Sequence, residues 1–168
     1  MPQRIKNNFK RRMKRISPER EKARKEKGFR CIHCGAWVSF EALGTKHRNH
    51  CPFCLWSKHV DREKPGDRNS TCQGKMKPIG LTFKRETPDR YHPESRGELM
   101  IIHQCTKCGE VKINRLAGDD LPEAVLNVFE LSVRLDPAMR ERLKRKGINP
   151  LTERDEDEVK TQLYGKKI

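Results

Sequence analysis

The sequence lacks long apolar runs, and apolar residues are scarce throughout it. Only 33% of the 168 residues are hydrophobic and 6% are aromatic, whereas 36% are charged. No run approaches the ~20 apolar residues that span a bilayer, so a membrane span is not expected. The low apolar content also excludes a large hydrophobic core. A folded chain of this composition needs another source of stability, usually metal ions or disulfides.

The sequence also lacks a recognisable secretory signal and an even number of cysteines. Six of its seven cysteines form Cys-x-x-Cys pairs, at 31/34, 51/54 and 105/108, and Cys72 stands alone. In an intracellular chain such pairs are typical of metal ligands rather than of disulfides. We therefore expect a cytoplasmic protein whose core is held together by zinc.

Acidic residues are outnumbered by basic ones. The chain has 38 Lys and Arg against 23 Asp and Glu, a net charge of +15, and such a charge attracts polyanions, most often nucleic acid. Residues 1–28 hold 12 basic and three acidic residues. We expect them to form a partly disordered or helical arm that contacts RNA; a membrane-surface helix or a transit peptide are the alternatives. The arm residues predicted to bind nucleic acid are Arg4, Lys6, Lys10, Arg11, Arg12, Lys14 and Arg15.

The paired cysteines lie in short strand-turn-strand patterns. Two thiolates two residues apart can reach one tetrahedral zinc ion at about 2.3 Å, and the glycine that follows Cys34 or Cys108 permits the tight turn this requires. Sixteen residues separate Cys34 from Cys51, which fits a four-cysteine zinc ribbon. The segments around the cysteines therefore predict zinc knuckles on β-hairpins.

Two closed zinc sites need eight ligands, which seven cysteines and one histidine would supply. His59 is favoured among the six histidines because it lies in the loop leading to Cys72. The favoured sites are Cys31, Cys34, Cys51 and Cys54 for one ion, and His59, Cys72, Cys105 and Cys108 for the other. A second pairing, 31/34 with 105/108 and 51/54 with His59 and Cys72, uses the same residues. Four protein ligands describe structural zinc, whereas catalytic zinc keeps an open position, so a non-enzymatic role is favoured.

Three helices are predicted after the last cysteine. The first covers 121–135, and Asp120 with Glu123 resembles a capping box at its start. The second runs from Asp136 to Gly147 and carries a basic cluster at 140–146, and the third follows Thr152. The predicted domains are the arm (1–28), a zinc-ribbon-like domain (29–120) and a helical extension (121–168). The fold class is a small metal-bound α+β protein with zinc-ribbon-like β-hairpins, flanked by the basic arm and C-terminal helices.

Several separated motifs occur in order along the chain. They are Cys31-x-x-Cys34-Gly35, Arg48-Asn49-His50-Cys51-Pro52-x-Cys54, Ser57-Lys58-His59-Val60-Asp61, Gly66-Asp67-Arg68, Cys72-x-Gly74, His103-x-Cys105-x-x-Cys108-Gly109 and Asn114-Arg115. From residue 29 to about 120 this pattern resembles the RNHCP domain family of small, chiefly bacterial zinc-binding proteins. The resemblance implies a zinc-ribbon fold and points to no particular activity.

The polar residues of these motifs have two interpretations. They either fix the zinc knuckles through hydrogen bonds or form a surface that touches RNA. Under the second interpretation the nucleic-acid contacts are Arg48, Asn49, His50, Arg68 and Arg115.

The leading functional hypothesis is a non-enzymatic, zinc-stabilised RNA-binding protein attached to ribosomal RNA, with ribosomal proteins as further partners. The alternative is a metal-dependent nuclease acting on RNA or DNA through His50, His59, Asp61 and Asp67. A third hypothesis is an adaptor that binds a protein through Val125, Phe129 and Leu135. DNA binding is a close variant, although the spacing of a recognition-helix zinc finger is absent.

Overall fold

The computed structural model describes residues 27–45, 48–64, 66–84 and 96–165. Residues 1–26 of the predicted arm, with Arg4, Lys6, Lys10, Arg11, Arg12, Lys14 and Arg15, lie outside the described residues, so a helix there stays a prediction. The described part contains two antiparallel sheets followed by helices, which confirms the predicted α+β class. In that part, no helix is both long and apolar enough to cross a membrane.

A two-stranded hairpin opens the described chain. Strand β1 (Gly28–Arg30) pairs antiparallel with β2 (Trp37–Ser39), and Phe29 lies opposite Val38. The side chains of Val38, Cys31 and Cys51 form its small core, with Phe29, Ala36 and Cys54 packed against it. Half of this core consists of predicted zinc ligands, so the hairpin has little hydrophobic stabilisation of its own.

The second sheet has four antiparallel strands in the order β3-β4-β5-β6. They are β3 (Ser57–Lys58), β4 (Lys75–Lys84), β5 (Glu98–Cys105) and β6 (Val111–Arg115). Strand β4 continues through Pro78 and Gly80, which the sequence pattern marked as interruptions, because a register shift between these two residues absorbs the irregularity.

Three α-helices follow the sheet, as the sequence predicted. They are α1 (Pro122–Val133), α2 (Pro137–Arg145) and α3 (Glu156–Tyr164), and a 3₁₀ turn (Glu153–Asp155) precedes α3. Asp136 caps α2 by accepting a hydrogen bond from the amide of Met139. The predicted capping box at α1 is wrong: Leu121 is the N-cap, no side chain caps it, and the carboxylate of Asp120 binds elsewhere.

One face of the four-stranded sheet packs against α1 and α3. The buried side chains of this core are Leu55, Leu81, Leu99, Ile101, Val125, Val128, Phe129, Leu151 and Val159. Helix α1 approaches β4 so closely that a Cβ on Gly80 would lie 2.8 Å from the hydroxyl oxygen of Ser132. That hydroxyl accepts from the amide of Leu81 at 3.0 Å and donates to its carbonyl at 3.1 Å. The predicted helical extension is therefore part of the core of the fold.

The opposite face of the sheet packs against α2. Ile102, Val111 and Leu143 are buried there, and Leu135 packs against them. Because Val125 and Phe129 face the other side of the sheet and Leu135 packs here, the three residues offer no common surface to a protein partner. The adaptor surface predicted from Val125, Phe129 and Leu135 is therefore wrong.

Candidate metal centres

The three Cys-x-x-Cys segments share one backbone arrangement. In each, the amide of the first cysteine donates to the carbonyl five residues later, at 2.8–3.0 Å. The amide four residues after the first cysteine donates back to the carbonyl of that cysteine, also at 2.8–3.0 Å. We call these turns the first (31–35), second (51–55) and third (105–109) knuckles. The pattern makes each knuckle rigid and places its two thiols on one side.

The last residue of every knuckle has a left-handed backbone. Gly35 has a φ of 75° and Gly109 a φ of 73°, as expected where only glycine is free of strain. The second knuckle has Leu55 at this place, with a φ of 59°, although a side chain disfavours that conformation by about 1–2 kcal/mol. Complete burial of the leucine in the main core contributes about 1.5–3 kcal/mol, which offsets the strain.

The first and second knuckles face each other and form the first cluster. It consists of Cys31, Cys34, Cys51 and Cys54, whose sulfur atoms all lie within 4.8 Å of one another. The Sγ atoms of Cys31 and Cys54 are 3.5 Å apart, and those of Cys34 and Cys51 are 3.6 Å apart. These separations are far longer than the ~2.05 Å of a disulfide bond.

The third knuckle, Cys72 and His59 form the second cluster. The Sγ atoms of Cys72 and Cys105 are 3.6 Å apart, and Sγ of Cys108 lies 3.3 Å from Nδ1 of His59. Two backbone hydrogen bonds hold His59 next to the segment that carries Cys72. The amide of His59 donates to the carbonyl of Gly74, and the amide of Gln73 donates to the carbonyl of His59. The structure therefore brings the eight ligands together in the favoured pairing and not in the alternative one.

Both clusters fit a zinc ion. Four sulfur ligands at about 2.3 Å in a tetrahedron lie about 3.8 Å from one another, and a nitrogen ligand brings the corresponding separation slightly lower. The observed separations of 3.3–3.6 Å match this within a few tenths of an ångström. Four protein donors close each site, so the two zinc ions predicted from the ligand count are structural.

Hydrogen bonds from backbone amides lower the pKa of the cysteine thiols, whereas burial raises it. A hydrogen bond from the amide of Ala36 lowers the pKa of Cys34. Burial raises the pKa of Cys105, but hydrogen bonds from the amides of Cys108 and Lys107, together with the side chains of His59 and Cys108, lower it to about 6. Burial raises the pKa of both Cys51 and Cys54. A buried thiolate pair of this kind needs a bound cation, which zinc supplies.

Replacing His59 with alanine is expected to reduce bound zinc from two ions per chain to one, because the second cluster loses a quarter of its donors. Elemental analysis of the purified protein measures this. His33→Ala is the matched control, since His33 lies inside the first knuckle but stacks on Trp56, with ring centroids 4.0 Å apart. We expect His33→Ala and His59→Cys to keep both ions. A His59→Ala protein with two tightly held zinc ions would contradict the assignment.

A buried ionic network adjoins the second knuckle. Arg48 donates to Asp119 through both terminal nitrogens, one bond measuring 2.8 Å, and Nη2 of Arg48 also lies 3.5 Å from Oδ1 of Asp120. His50 Nε2 lies 2.8 and 3.0 Å from the two carboxylate oxygens of Asp120. The amide of Ala117 completes the site by donating to Asp120 at 2.7 Å. Arg48 is the largest cause of the lowered pKa of Asp119.

A second chain of hydrogen bonds joins the same knuckle to the sheet. Asn49 Nδ2 donates to Asn114 Oδ1 at 3.0 Å, and Asn114 Nδ2 lies 2.7 Å from Nδ1 of His103. His103 Nε2 lies 2.6 Å from the carbonyl of Leu55. Burial lowers the pKa of His103 to about 3, so the ring is neutral and donates from Nε2 while Nδ1 accepts. We call the side chains of this chain and of the buried ionic network together the knuckle network. Its members are Arg48, Asn49, His50, His103, Asn114, Asp119 and Asp120.

The knuckle network corrects part of the predicted nucleic-acid surface. The side chains of Arg48 and His50 are each 1% exposed, so neither is available to touch RNA. Asn49 is half-buried and bonded to Asn114. Arg68 and Arg115 are exposed, but Arg68 lies 3.8 Å from Asp61 and Arg115 lies 2.8 Å from Glu98. For Arg48, Asn49 and His50, the structure therefore supports the first of the two interpretations, in which polar motif residues fix the knuckles through hydrogen bonds.

The residues of the nuclease alternative also have structural partners. His50 binds Asp120, and His59 belongs to the second cluster. Asp67 accepts from the amides of residues 62, 63, 64 and 69, and these bonds hold the pKa of its carboxyl far below the usual range. Asp61 accepts from the amides of Gly66 and Arg68. Both aspartates thus shape the loop that leads to Cys72.

Comparison with known proteins agrees with this geometry. The family model of the RNHCP domain matches residues 26–126, which is more than half of the chain and includes both clusters and the knuckle network. Neither a curated protein nor a solved structure matches the chain. The resemblance seen in the sequence motifs is confirmed, and the protein belongs to the RNHCP domain family.

Proposed function

We propose that the protein binds RNA, in particular ribosomal RNA, as a rigid zinc-held module without enzymatic activity. The observation that carries the proposal is a group of basic side chains on β4, the third knuckle and helix α2 with its C-cap, and Arg142 of that helix contacts the knuckle. The members of this group are all exposed, and we call them the basic face: Lys75, Lys107, Arg142, Lys144, Arg145 and Lys146. Among the described residues, the acidic partners of the basic face are Glu110, which pairs with Lys146, and Glu141, which pairs with Lys144.

Direct contacts hold the basic face together. Arg142 Nη2 donates to the carbonyl of Gly109 at 2.7 Å, which ties α2 to the third knuckle. Lys107 Nζ donates to the carbonyl of Cys72 at 3.1 Å, and the amide of Thr106 donates to the carbonyl of Lys75 at 2.8 Å. Because the zinc cluster fixes this knuckle, the cations have a fixed spacing, which suits the regularly spaced phosphates of a folded RNA.

The net charge of +15 supports the same proposal. The arm at 1–28, with 12 basic and three acidic residues, would follow the phosphate backbone while the module docks. Arg68 and Arg115 would add contacts at the surface. Binding of this type is driven largely by the release of counterions from RNA and therefore depends strongly on salt.

The proposal predicts a steep dependence of RNA affinity on salt, with a slope of about −0.7 in log K against log salt for each phosphate neutralised on a single strand. Changing Arg145 and Lys146 together to alanine is expected to reduce that slope by roughly 1.4. Fluorescence anisotropy with a labelled ribosomal RNA fragment, from low to moderate salt, measures both effects.

The matched control is Arg154→Ala with Lys160→Ala. This pair removes the same charge from the 3₁₀ turn and α3, and α3 packs on the other face of the sheet. We expect its slope to equal that of the unaltered protein. Affinity that hardly changes with salt would contradict RNA binding. Equal losses in the two double variants would contradict the basic face as the binding surface.

A further inference from the structure

A cavity of about 300 Å³ lies between the first hairpin and the segment that follows the second knuckle. Phe29 and Phe40 form one part of its wall, with ring centroids 5.6 Å apart. Trp56 forms another part, and its ring is held by stacking on His33 at an interplanar angle of 3°. The volume is at the lower end of the range of about 300–1,000 Å³ for small-molecule sites.

The charge of the lining is entirely positive. Arg30, Lys58 and Arg68 border the cavity together with Arg48, and no acidic residue is among its lining residues. Arg48 belongs to the buried knuckle network, so the cations open to a ligand are Arg30, Lys58 and Arg68. The cavity thus combines aromatic walls with three cationic side chains.

We propose that this cavity receives an unstacked base of a single-stranded RNA segment. Aromatic rings stack on any base, and arginine and lysine beside them hold the flanking phosphates. This inference deepens the proposed RNA binding and rests on it. The basic arm of this chain is a less suitable occupant, because its 12 basic residues have the same sign of charge as the lining.

The cavity also complements the basic face. Lys58 lies opposite Lys75 in the pairing of β3 with β4, so cations extend from the cavity along the sheet edge toward the third knuckle. A single strand that places one base in the cavity would therefore continue over a positively charged surface. The cavity supplies the base contact, and the basic face supplies phosphate contacts.

Tryptophan fluorescence tests the inference. The chain has two tryptophans, so Trp37→Phe leaves Trp56 as the only reporter. Titration of this full-length, zinc-loaded protein with a short single-stranded RNA is expected to quench Trp56, with the same midpoint as anisotropy. Inorganic polyphosphate, which has charge but no bases, is expected to bind without quenching. Equal quenching by polyphosphate would overturn the proposed base contact.

Phe40→Ala is expected to weaken binding of the RNA about 5- to 150-fold, the range that loss of one base–aromatic stacking contact produces. The matched control is Phe53→Ala, since Phe53 is 52% exposed against 42% for Phe40 but lies outside the cavity lining. We expect its affinity to be unchanged. Zinc content measured on each variant verifies the fold.

The possible results separate the two proposals. If Phe40→Ala and Phe53→Ala both bind RNA as tightly as the unaltered protein, the cavity inference is overturned while RNA binding through the basic face stands. If the unaltered protein binds no RNA even at low salt, both proposals are overturned. Weakening of Phe40→Ala alone, together with quenching of Trp56, supports the base-binding cavity.

Discussion

Removing both zinc ions with a strong chelator is expected to abolish the cooperative unfolding transition of the protein. A structural zinc site contributes on the order of 10 kcal/mol or more to folding, whereas a domain of this size has a total stability of about 5–15 kcal/mol. Cys31, Cys51 and Cys54 form half of the small core of the first hairpin, so loss of zinc removes the bonds that hold this core together. Near-ultraviolet circular dichroism and thermal melting, followed during chelation, measure the loss.

The control for chelation is the return of zinc. Added zinc is expected to restore the near-ultraviolet spectrum, and magnesium is not, because thiolates prefer zinc to a hard cation. A protein that is free of zinc by elemental analysis and still melts cooperatively at the original temperature would contradict a zinc-held fold. Such a result would place the stability in the two apolar cores instead.

The second large effect is expected for Asp120→Ala, which should lower the free energy of unfolding by about 3–5 kcal/mol. The carboxylate of Asp120 lies 2.8 Å from Nε2 of His50 and 3.5 Å from Arg48, and the side chains of all three are almost fully buried. Its removal leaves a buried guanidinium with one partner fewer and an unpaired buried imidazole. Urea unfolding of the zinc-loaded protein measures the change.

Asp119→Ala is the matched control, because Asp119 also binds Arg48 but is 50% exposed. Its loss is expected to cost less, about 1–2 kcal/mol, since water screens an exposed ion pair and Asp120 still contacts Arg48. The pKa of Asp119 is lowered in the folded state, so its contribution is present above about pH 4 and is lost on acidification. Equal losses for the two variants would contradict a buried role for Asp120.

The zinc ligands and the helices were predictable because both depend on local spacing. Two cysteines two residues apart define a knuckle without any knowledge of the fold, and the helices are marked by Pro122, Pro137 and Gly147 at or near their ends. The ligand count identified eight donors, and His59 was favoured as the eighth because it lies in the loop leading to Cys72. The ribbon-like spacing favoured the observed pairing but left the alternative open, because the pairing depends on which knuckles face each other across the fold.

The knuckle network could not be derived from local patterns. His50 and Asp120 are 70 residues apart, and Arg48 and Asp119 are 71 apart, so nothing in the local sequence links them. Asp120 resembled a helix cap because it stands three residues before Glu123. In the structure, this carboxylate binds the buried ring of His50 and does not cap the helix. His103, within the most apolar strand, was a signal: a neutral ring there needed two partners.

The left-handed backbone of Leu55 could not be predicted from its residue type. Glycine after the second cysteine marked the first and third knuckles, and its absence from the second gave no warning that the backbone there is the same. Burial of the leucine in the main core explains the exception. The Arg48–Cys54 segment is thus a junction at which zinc binding, ionic contacts and the apolar core meet.

Ultraviolet crosslinking of the full-length protein to RNA in cells, with zinc measured on the same purified material, tests the central claim most directly. We expect two zinc ions per chain and crosslinked RNA that is chiefly ribosomal, attached at peptides from the basic face and the cavity. A preparation that holds two zinc ions per chain but yields no more crosslinked RNA than a non-irradiated control would contradict RNA binding as the function of this fold.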